Sequence, residues 1–312
     1  MAISDILSSR RSRLDRQFDR IRELEEAGKL STPGGSRFIR KFLNNRLALI
    51  GLVAFTVILL MAILAPLLTP WDPTKINLRA ISQPPSAEHW FGTDKTGRDV
   101  FARVLYGGRV SILVGLGSAL ISAVIGVIIG CYAGYVGGWI DTVAMRVSEA
   151  IMSFPEIILV LVMVSIVGQS LFNLMGIFIL GGWCGVYRLV RAQMLSLREE
   201  EYVLALRSFG LNRVLISFKH MLPNALGPVM VSITLSTAAF ILQEAGLSFL
   251  GLGVPLNIPT WGNILNVAQD LSVLQNYWWL WLPVGLFISA FVLSVNFIGD
   301  GLRDASDPTQ QG

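Results

Sequence analysis

Hydrophobic positions in this chain come in long runs, not in strand-like alternation. Leu47–Leu68 reads LALIGLVAFTVILLMAILAPLL, without a charge and with one threonine. About 20 apolar residues rising ~1.5 Å each cross a ~30 Å hydrocarbon layer, so the run predicts a membrane span. The same pattern predicts spans at Val110–Tyr135, Pro155–Val167, Leu171–Val190, Ala225–Leu242 and Trp278–Ile298. The Pro155–Val167 run is short for a crossing and follows a polar helix starting at Ile140. Six spans divide the chain into an arm (1–46), a first span with an external loop (47–109), a core (110–300) holding a polar segment (188–224), and a tail (301–312). The expectation is an all-α polytopic membrane protein with six transmembrane helices.

The arm has its own pattern. Leu14, Phe18 and Ile21 recur at helical spacing and predict a short amphipathic helix. "STPGGS" at Ser31–Ser36 reads as a breaker, and "RFIRKFLNNR" then approaches the membrane as an interfacial segment.

Composition excludes a soluble domain. The chain is 53% hydrophobic and 15% charged, against roughly 25% charged in soluble domains. No cleavable leader is expected, because the first apolar run is long and lacks a small-residue cleavage site. Lys and Arg crowd the arm from Arg10 to Arg46 and the segment from Arg188 to Lys219, and are missing from the loops after the third and fifth spans. Positive charge marks the cytoplasmic side, so both termini and the 188–224 segment are expected there. The loop after the first span is the exception, with Lys75, Arg79, Lys95, Arg98, Arg103 and Arg109 partly offset by Asp72, Glu88, Asp94 and Asp99. It stays outside in this reading, since moving it would need another crossing. The basic balance is thus accounted for by the lipid bilayer, and no nucleic-acid partner is expected.

Several chemistries are missing from the motifs. No GxxxxGK[ST], HExxH, GxSxG or CxxC occurs. Cys131 and Cys184 sit in apolar runs and read as packing residues, and His89 and His220 are far apart, so no metal site is expected. Glu149, Glu244 and Asp300 fall only near span ends, and the polar groups within spans are neutral: Gln169, Ser232, Thr234, Ser236, Thr237 and Asn296. Such a pathway passes a solute without an evident means of energising it, so the energy is expected from a partner and the chain is not expected to be an enzyme.

Three stretches are candidate sites. Gly126, Gly130, Gly134 and Gly138 share a helix face and let another backbone approach; packing within the chain and a seam between subunits are both open. In "GTDKTGRD", Gly92, Asp94, Gly97, Arg98 and Asp99 read as turn and capping residues, either sealing the external end or docking a partner. The third, "EEYVLALRSFGLNRVLISFKHMLPN" (Glu200–Asn224), lies between two spans. Glu199, Glu200 and Glu201 open a helix that stops at Gly210, and a second helix is halted by Pro223. Tyr202, Leu206 and Phe209 at i, i+4 and i+7 place one apolar face on this knob, which either meets a partner or lies against the bilayer or the chain's own spans.

The third stretch resembles the cytoplasmic EAA loop of ABC importer permeases, whose pattern is E-A-A-x-x-x-G, nine residues, then I-x-L-P. Ala205, Gly210, Leu222 and Pro223 fall in register, while Leu204 stands in the place of Glu, Leu206 of the second Ala and His220 of Ile. "HWFGTDKTGRDVFARVLYGGRVSILVG", "EAGLSFLGLGVPLNIPTWGNIL" and "NFIGDGLRDASDP" are similar to further signatures of the C-type subunit in the oligopeptide, dipeptide and nickel branch. The likeness runs from Phe38 to Pro308. It implies the type I ABC importer permease fold, a B-type permease partner, two ATPases that bind ATP and Mg, an external solute-binding protein, and a bacterial or archaeal cytoplasmic membrane. Glu200, Glu201, Tyr202, Ala205, Leu206, Arg207, Phe209, Gly210, His220 and Pro223 would then form the loop that couples to an ATPase. Asp300, Arg303 and Asp304 would lie near the same face, as salt-bridged cover or as the solvated end of the last span. Peptide is the expected cargo, with a nickel chelate as the alternative within the branch and a stand-alone channel or carrier as the alternative outside it.

Overall fold

The computed structural model describes residues 34–306; the helix expected at Leu14, Phe18 and Ile21 lies outside them. Helix α1 (Gly34–Asn44) begins inside the stretch read as a breaker. Asn45 ends it with an extended backbone, and its side chain accepts from the Ala48 N–H to cap α2 (Arg46–Ile63). The same side chain donates to Asp304 at 3.0 Å, tying the start of the first span to the end of the last.

Helix α2 is sorted in reverse of a soluble helix. It buries Ala48, Gly51, Ile58 and Ala62, and exposes Leu47, Ile50, Val53, Val57, Leu60 and Ile63. Apart from Ile58, small residues face neighbouring helices and large ones face outward, as in a bundle solvated by lipid, where water no longer drives large side chains inside.

The second span differs from its expected bounds. Helix α3 runs over Val100–Val136, so residues 100–109 belong to this helix and not to the external loop. Charges that read as loop residues are paired inside the fold. Asp99 caps α3 by accepting from the Ala102 N–H at 2.6 Å, and Arg103 is buried on Asp94. Arg109 donates to the Ala62 and Ile63 carbonyls at 2.6 and 2.7 Å, which satisfies the open end of α2.

Helix α4 (Trp139–Met152) is the polar lead-in, and α5 (Glu156–Val167) the short apolar run. The two are bent by 89° and together form the sixth candidate span. Five others are long and apolar enough alone: α2, α3, α6 (Leu171–Leu197), the helical stretch Arg213–Phe249 and Trp278–Ser306. No strand forms among the described residues beyond the single bridge Thr93–Asp99.

Pro223 does not halt a helix. Helical Arg213–Leu215 passes through a π-helical segment, Ile216–Met221, into α8 (Leu222–Phe249) without a break. Pro223 comes just after the π-helical segment, where the Leu222 N–H reaches back five residues to the Ser217 carbonyl, and this local widening of the helix accommodates the missing N–H. Helix α8 also runs past Leu242, the expected end of the fifth span, and Glu244 lies in its last turns. Glu244 is fully buried and accepts from Ser111 at 3.0 Å and Ser248 at 2.8 Å. The Ser111 hydroxyl in turn accepts from the Trp261 N–H at 3.1 Å, and the Trp261 indole donates to the Val104 carbonyl. The Gly/Pro-rich connection is therefore folded onto α3, with α9 (Trp261–Leu265) and α10 (Leu271–Asn276) ahead of α11 (Leu282–Ser306).

The bundle has two distinct ends. Residues 69–99 and 250–281 meet at one, through Lys95–Asp270 and the contact of Gly92 with Trp279. At the other, α1, the start of α8 and the end of α11 converge, with Asn45 on Asp304 and Gly227 against Ser306.

Candidate functional site

The segment between α6 and α8 carries the densest local design. After α6 the chain turns through Arg198–Glu200 into α7 (Glu201–Ser208). Gly210 then adopts φ +77. The Leu211 N–H bonds the Leu206 carbonyl at 3.3 Å, and the Gly210 N–H bonds the Arg207 carbonyl at 3.0 Å. This is a Schellman end, in which a left-handed residue returns the chain over the last helical turn. Its accompanying apolar contact is present, since Leu206 and Leu211 pack on the same core as Val203, Ile216 and Met221. Asn212 starts the next helical turn by accepting from the Val214 N–H at 2.8 Å.

The expected apolar face is split by this packing. Val203 and Leu206 turn inward, whereas Phe209 is 81% exposed and Tyr202 39% exposed. Val203 is the reason: it fills the inward position, and the Schellman turn carries Phe209 to the outside. Tyr202 accepts from Asn224 at 3.0 Å, linking α7 to the first turn of α8. Glu200, Glu201, Ala205, Arg207, Gly210 and Pro223 are exposed, and His220 is half-buried in the π-helical segment. Leu204, in the place of the motif's acid, is 46% exposed.

Two devices join this segment to the bundle. A Cβ at Gly126, Gly130 or Gly134 would come within 2.6, 2.8 or 2.7 Å of Val186, Val190 or Met194 of α6. Those three glycines form an intrachain seam between α3 and α6, which decides against the subunit seam for them. Gly138 takes no part: it caps α4 with φ +79 and nothing lies within 4 Å of its Cβ position. The second device was not legible in sequence. Arg191 of α6 donates two bonds to Asp141 of α4, at 2.6 and 2.7 Å, and the Tyr187 hydroxyl donates to the same carboxylate at 3.1 Å. The partners are 50 residues apart, beyond the reach of any local pattern. The Ser217 hydroxyl, bonded to the Cys131 carbonyl at 2.8 Å, ties the π-helical segment to α3.

At the other end, the residues of "GTDKTGRD" are turned into the fold. Gly92 and Gly97 have φ +68 and +76, and a Cβ on Gly97 would lie 1.8 Å from the Asn77 carbonyl oxygen. One Asp94 oxygen accepts from Thr96 and the Arg98 N–H, and the other holds the side chains of Arg98 and Arg103. Asp99 binds His89 at 2.8 Å, both buried. The arrangement fits a seal. Burial works to raise the Asp94 carboxyl, but Arg103, Thr96 and Arg98 outweigh it and hold the group below its ordinary 3.8. A depressed carboxylate contributes fully above 3.8 and loses its contribution as pH falls through the lower folded value. Limited proteolysis of residues 75–99 is therefore expected to stay slow at neutral pH and to accelerate only below about pH 4; equal rates throughout would show that Asp94 does not hold the loop. Lys95 and Asp270 form a half-exposed pair at 2.8 Å, a type worth about 0–1 kcal/mol. Lys95→Glu is expected to leave the neutral-pH proteolysis of this loop close to that of wild type, and a large acceleration would show that the pair is needed to hold the two loops together.

Between α6 and α8 the surface opens into a groove of about 620 Å³, floored by Gly185, Leu189, Pro228 and Leu235 with Ser232 and Arg303 in its wall. A smaller hollow beside it includes Ser236, Gly181 and Phe154. Of the neutral polar groups expected within spans, Ser232 and Ser236 face these openings, while Thr234 and Thr237 bond carbonyls of their own helix. Asp300, Arg303 and Asp304 are exposed at the end of α11. None of the three forms an ion pair among the described residues, and Asp304 accepts from Asn45.

The comparisons with known proteins agree on one family. The profile described as "Binding-protein-dependent transport system inner membrane component" matches residues 126–311. The "N-terminal TM domain of oligopeptide transport permease C" matches residues 35–85. A protein of Brucella suis biovar 1, provisionally named a peptide permease, is 44% identical over 93% of this chain and 96% of its own. The oligopeptide transport system permease protein OppC of Bacillus subtilis (strain 168) is 40% identical over 86% of this chain and 87% of its own. Among solved structures, a chain of the MetNI methionine ABC transporter in inward-facing conformations is 20% identical with TM-score 0.52, covering 66% of this chain and 96% of that one. That likeness is one of fold.

Proposed function

The chain belongs to the binding-protein-dependent transport system inner membrane components, the permeases of ABC transporters, and from that membership we propose that it forms half of the pathway of an ATP-driven peptide importer. It is a multi-pass inner-membrane permease component and not itself the catalytic subunit. In this reading a B-type permease supplies the other half. Two ATPases bind ATP and Mg and close beneath Glu201–Gly210, and an external solute-binding protein delivers the peptide at the end formed by residues 69–99 and 250–281. Both chain termini and α7 lie on the cytoplasmic side.

The observation that carries the reading is mechanical. Helix α7 is joined to α6 by three residues and to Arg213 by four, with its exposed residues outward and Val203 and Leu206 seated in the bundle. A push on α7 has no slack in which to be absorbed, so it moves α6 and the Arg213–Phe249 helix. The glycine seam and the Asp141–Arg191 clamp make α3 and α4 follow α6. Alternating access then follows as rigid-body movement of packed helices. The openings between α6 and α8, with Ser232 and Ser236 in their walls, are where such movement changes exposure.

Peptide is preferred over a nickel chelate because the relatives that share most of the chain carry peptide permease names. The test is reconstitution of the complex in proteoliposomes with its solute-binding protein. Peptide is expected to stimulate ATP hydrolysis and to accumulate inside, and a nickel chelate to do neither. Failure of any ATPase to co-purify would sink the importer reading, whereas transport of the chelate alone would correct only the cargo.

A further inference from the structure

Beside α7 lies a hollow of about 280 Å³ walled by Tyr135, Arg198, Glu199, Leu204, Arg207 and Arg213. Its charge is unbalanced. Glu199 is already paired with Arg198 at 2.9 Å, while Arg207 and Arg213 make no ion pair among the described residues. The Tyr135 hydroxyl is buried there without a hydrogen-bond partner. Guanidinium forks and a phenol proton are matched by a planar oxyanion, which accepts several such donors at once. The surroundings favour an oxyanion carried on a protein. Leu204, Phe209 and Leu215 are 46%, 81% and 45% exposed; they gain from burial only if the anion arrives attached to an apolar surface.

We propose that this hollow receives an Asp or Glu side chain of the ATPase subunit. The proposal rests on the permease reading and deepens it. Leu204 stands in the place of the acid of the EAA pattern, so the charge offered beside α7 is cationic: the permease contributes the guanidiniums and the ATPase the carboxylate. Tyr135 stands at the end of α3, and Arg198 follows α6 directly. An acid seated between them and α7 therefore grips both sides of the glycine seam, so that the seam and α7 move together.

The experiment uses the intact complex. The double variant R207E/R213E is expected to accumulate with the thermal midpoint of wild type, because neither side chain is paired within the chain. ATPase recovery on purification is expected to fall by about tenfold or more, as charge-assisted pairs become like-charge contacts. R207K/R213K is expected to recover more ATPase than R207E/R213E but less than wild type, since the charge is kept and the fork geometry is lost, and wild-type recovery is expected to decline with added salt. Crosslinking from R207C identifies the ATPase carboxylate, and its replacement by Arg is expected to rescue R207E. Equal ATPase recovery by R207E/R213E and wild type overturns the proposal while leaving the permease reading intact. A wild-type midpoint that responds to inorganic phosphate or to anionic-lipid vesicles, with ATPase recovery unchanged in the variant, also overturns it and makes the hollow a free-anion or headgroup site. Absence of ATPase from the wild-type preparation fails the permease reading instead.

Discussion

Gly130→Leu is expected to remove most of the folded protein from the membrane. A Cβ at this position lies 2.8 Å from the Val190 Cβ and 3.0 Å from the Tyr187 carbonyl oxygen. Neither neighbour can yield easily, since one is β-branched on α6 and the other is backbone. The flanking glycines meet α6 just as closely, so α3 and α6 cannot tilt apart at one point without opening the whole seam. Overpacking a fitted interior costs about 1–3 kcal/mol, and lost seam contacts add to that. Gly130→Ala is expected to lower the thermal midpoint measurably, and Gly130→Leu to fail to accumulate. Wild-type yield and midpoint for the leucine variant would show that the α3–α6 approach is not required.

Gly210→Val is expected to abolish peptide uptake while sparing the fold. Nothing lies within 4 Å of a Cβ at position 210, so the effect is not steric. It is conformational: φ +77 is left-handed, and a β-branched residue is disfavoured there by about 1–2 kcal/mol. Relaxing that strain unwinds the Schellman end and changes the angle at which α7 is held. The turn meets the bundle core only through the partly buried Leu206 and Leu211, so the thermal midpoint is expected to fall by no more than this local strain implies. Gly210→Asn is the control, because Asn tolerates the left-handed region, and it is expected to keep a substantial part of uptake. Normal uptake by the valine variant would show that the set angle of α7 is not needed for coupling.

Much of the architecture was legible in consecutive residues. The run at Leu47–Leu68 announced α2 because a span is a local property: about 20 apolar side chains suffice whatever lies beside them. Gly210 announced the end of α7 for the same reason. The errors share one cause. Arg103 and Arg109 read as loop residues, yet both lie in α3, because Asp94 and the carbonyls of Ala62 and Ile63 receive their donors. Pro223 read as a stop, yet the helical path continues, because a π-helical segment precedes it and Pro sits in the first turn of α8. Glu244 read only as a charge near a span end, and it does lie in the last turns of α8; what the run did not reveal is its burial, since Ser111, 133 positions away, donates to it.

By itself, then, the sequence determined the material: an all-helical membrane chain, its approximate spans, and a polar, helical segment bearing an EAA-like pattern between two of them. Only the tertiary structure decided that three glycines of the stripe form a seam within the chain, that Phe209 faces out while Leu206 faces in, and that Tyr135, Arg207 and Arg213 meet around one hollow. The physical reason is range. Hydrophobic length and turn preference act between neighbours and are written in order along the chain, whereas the partner of a charge or of a glycine face comes from another helix and exists only once the helices have packed.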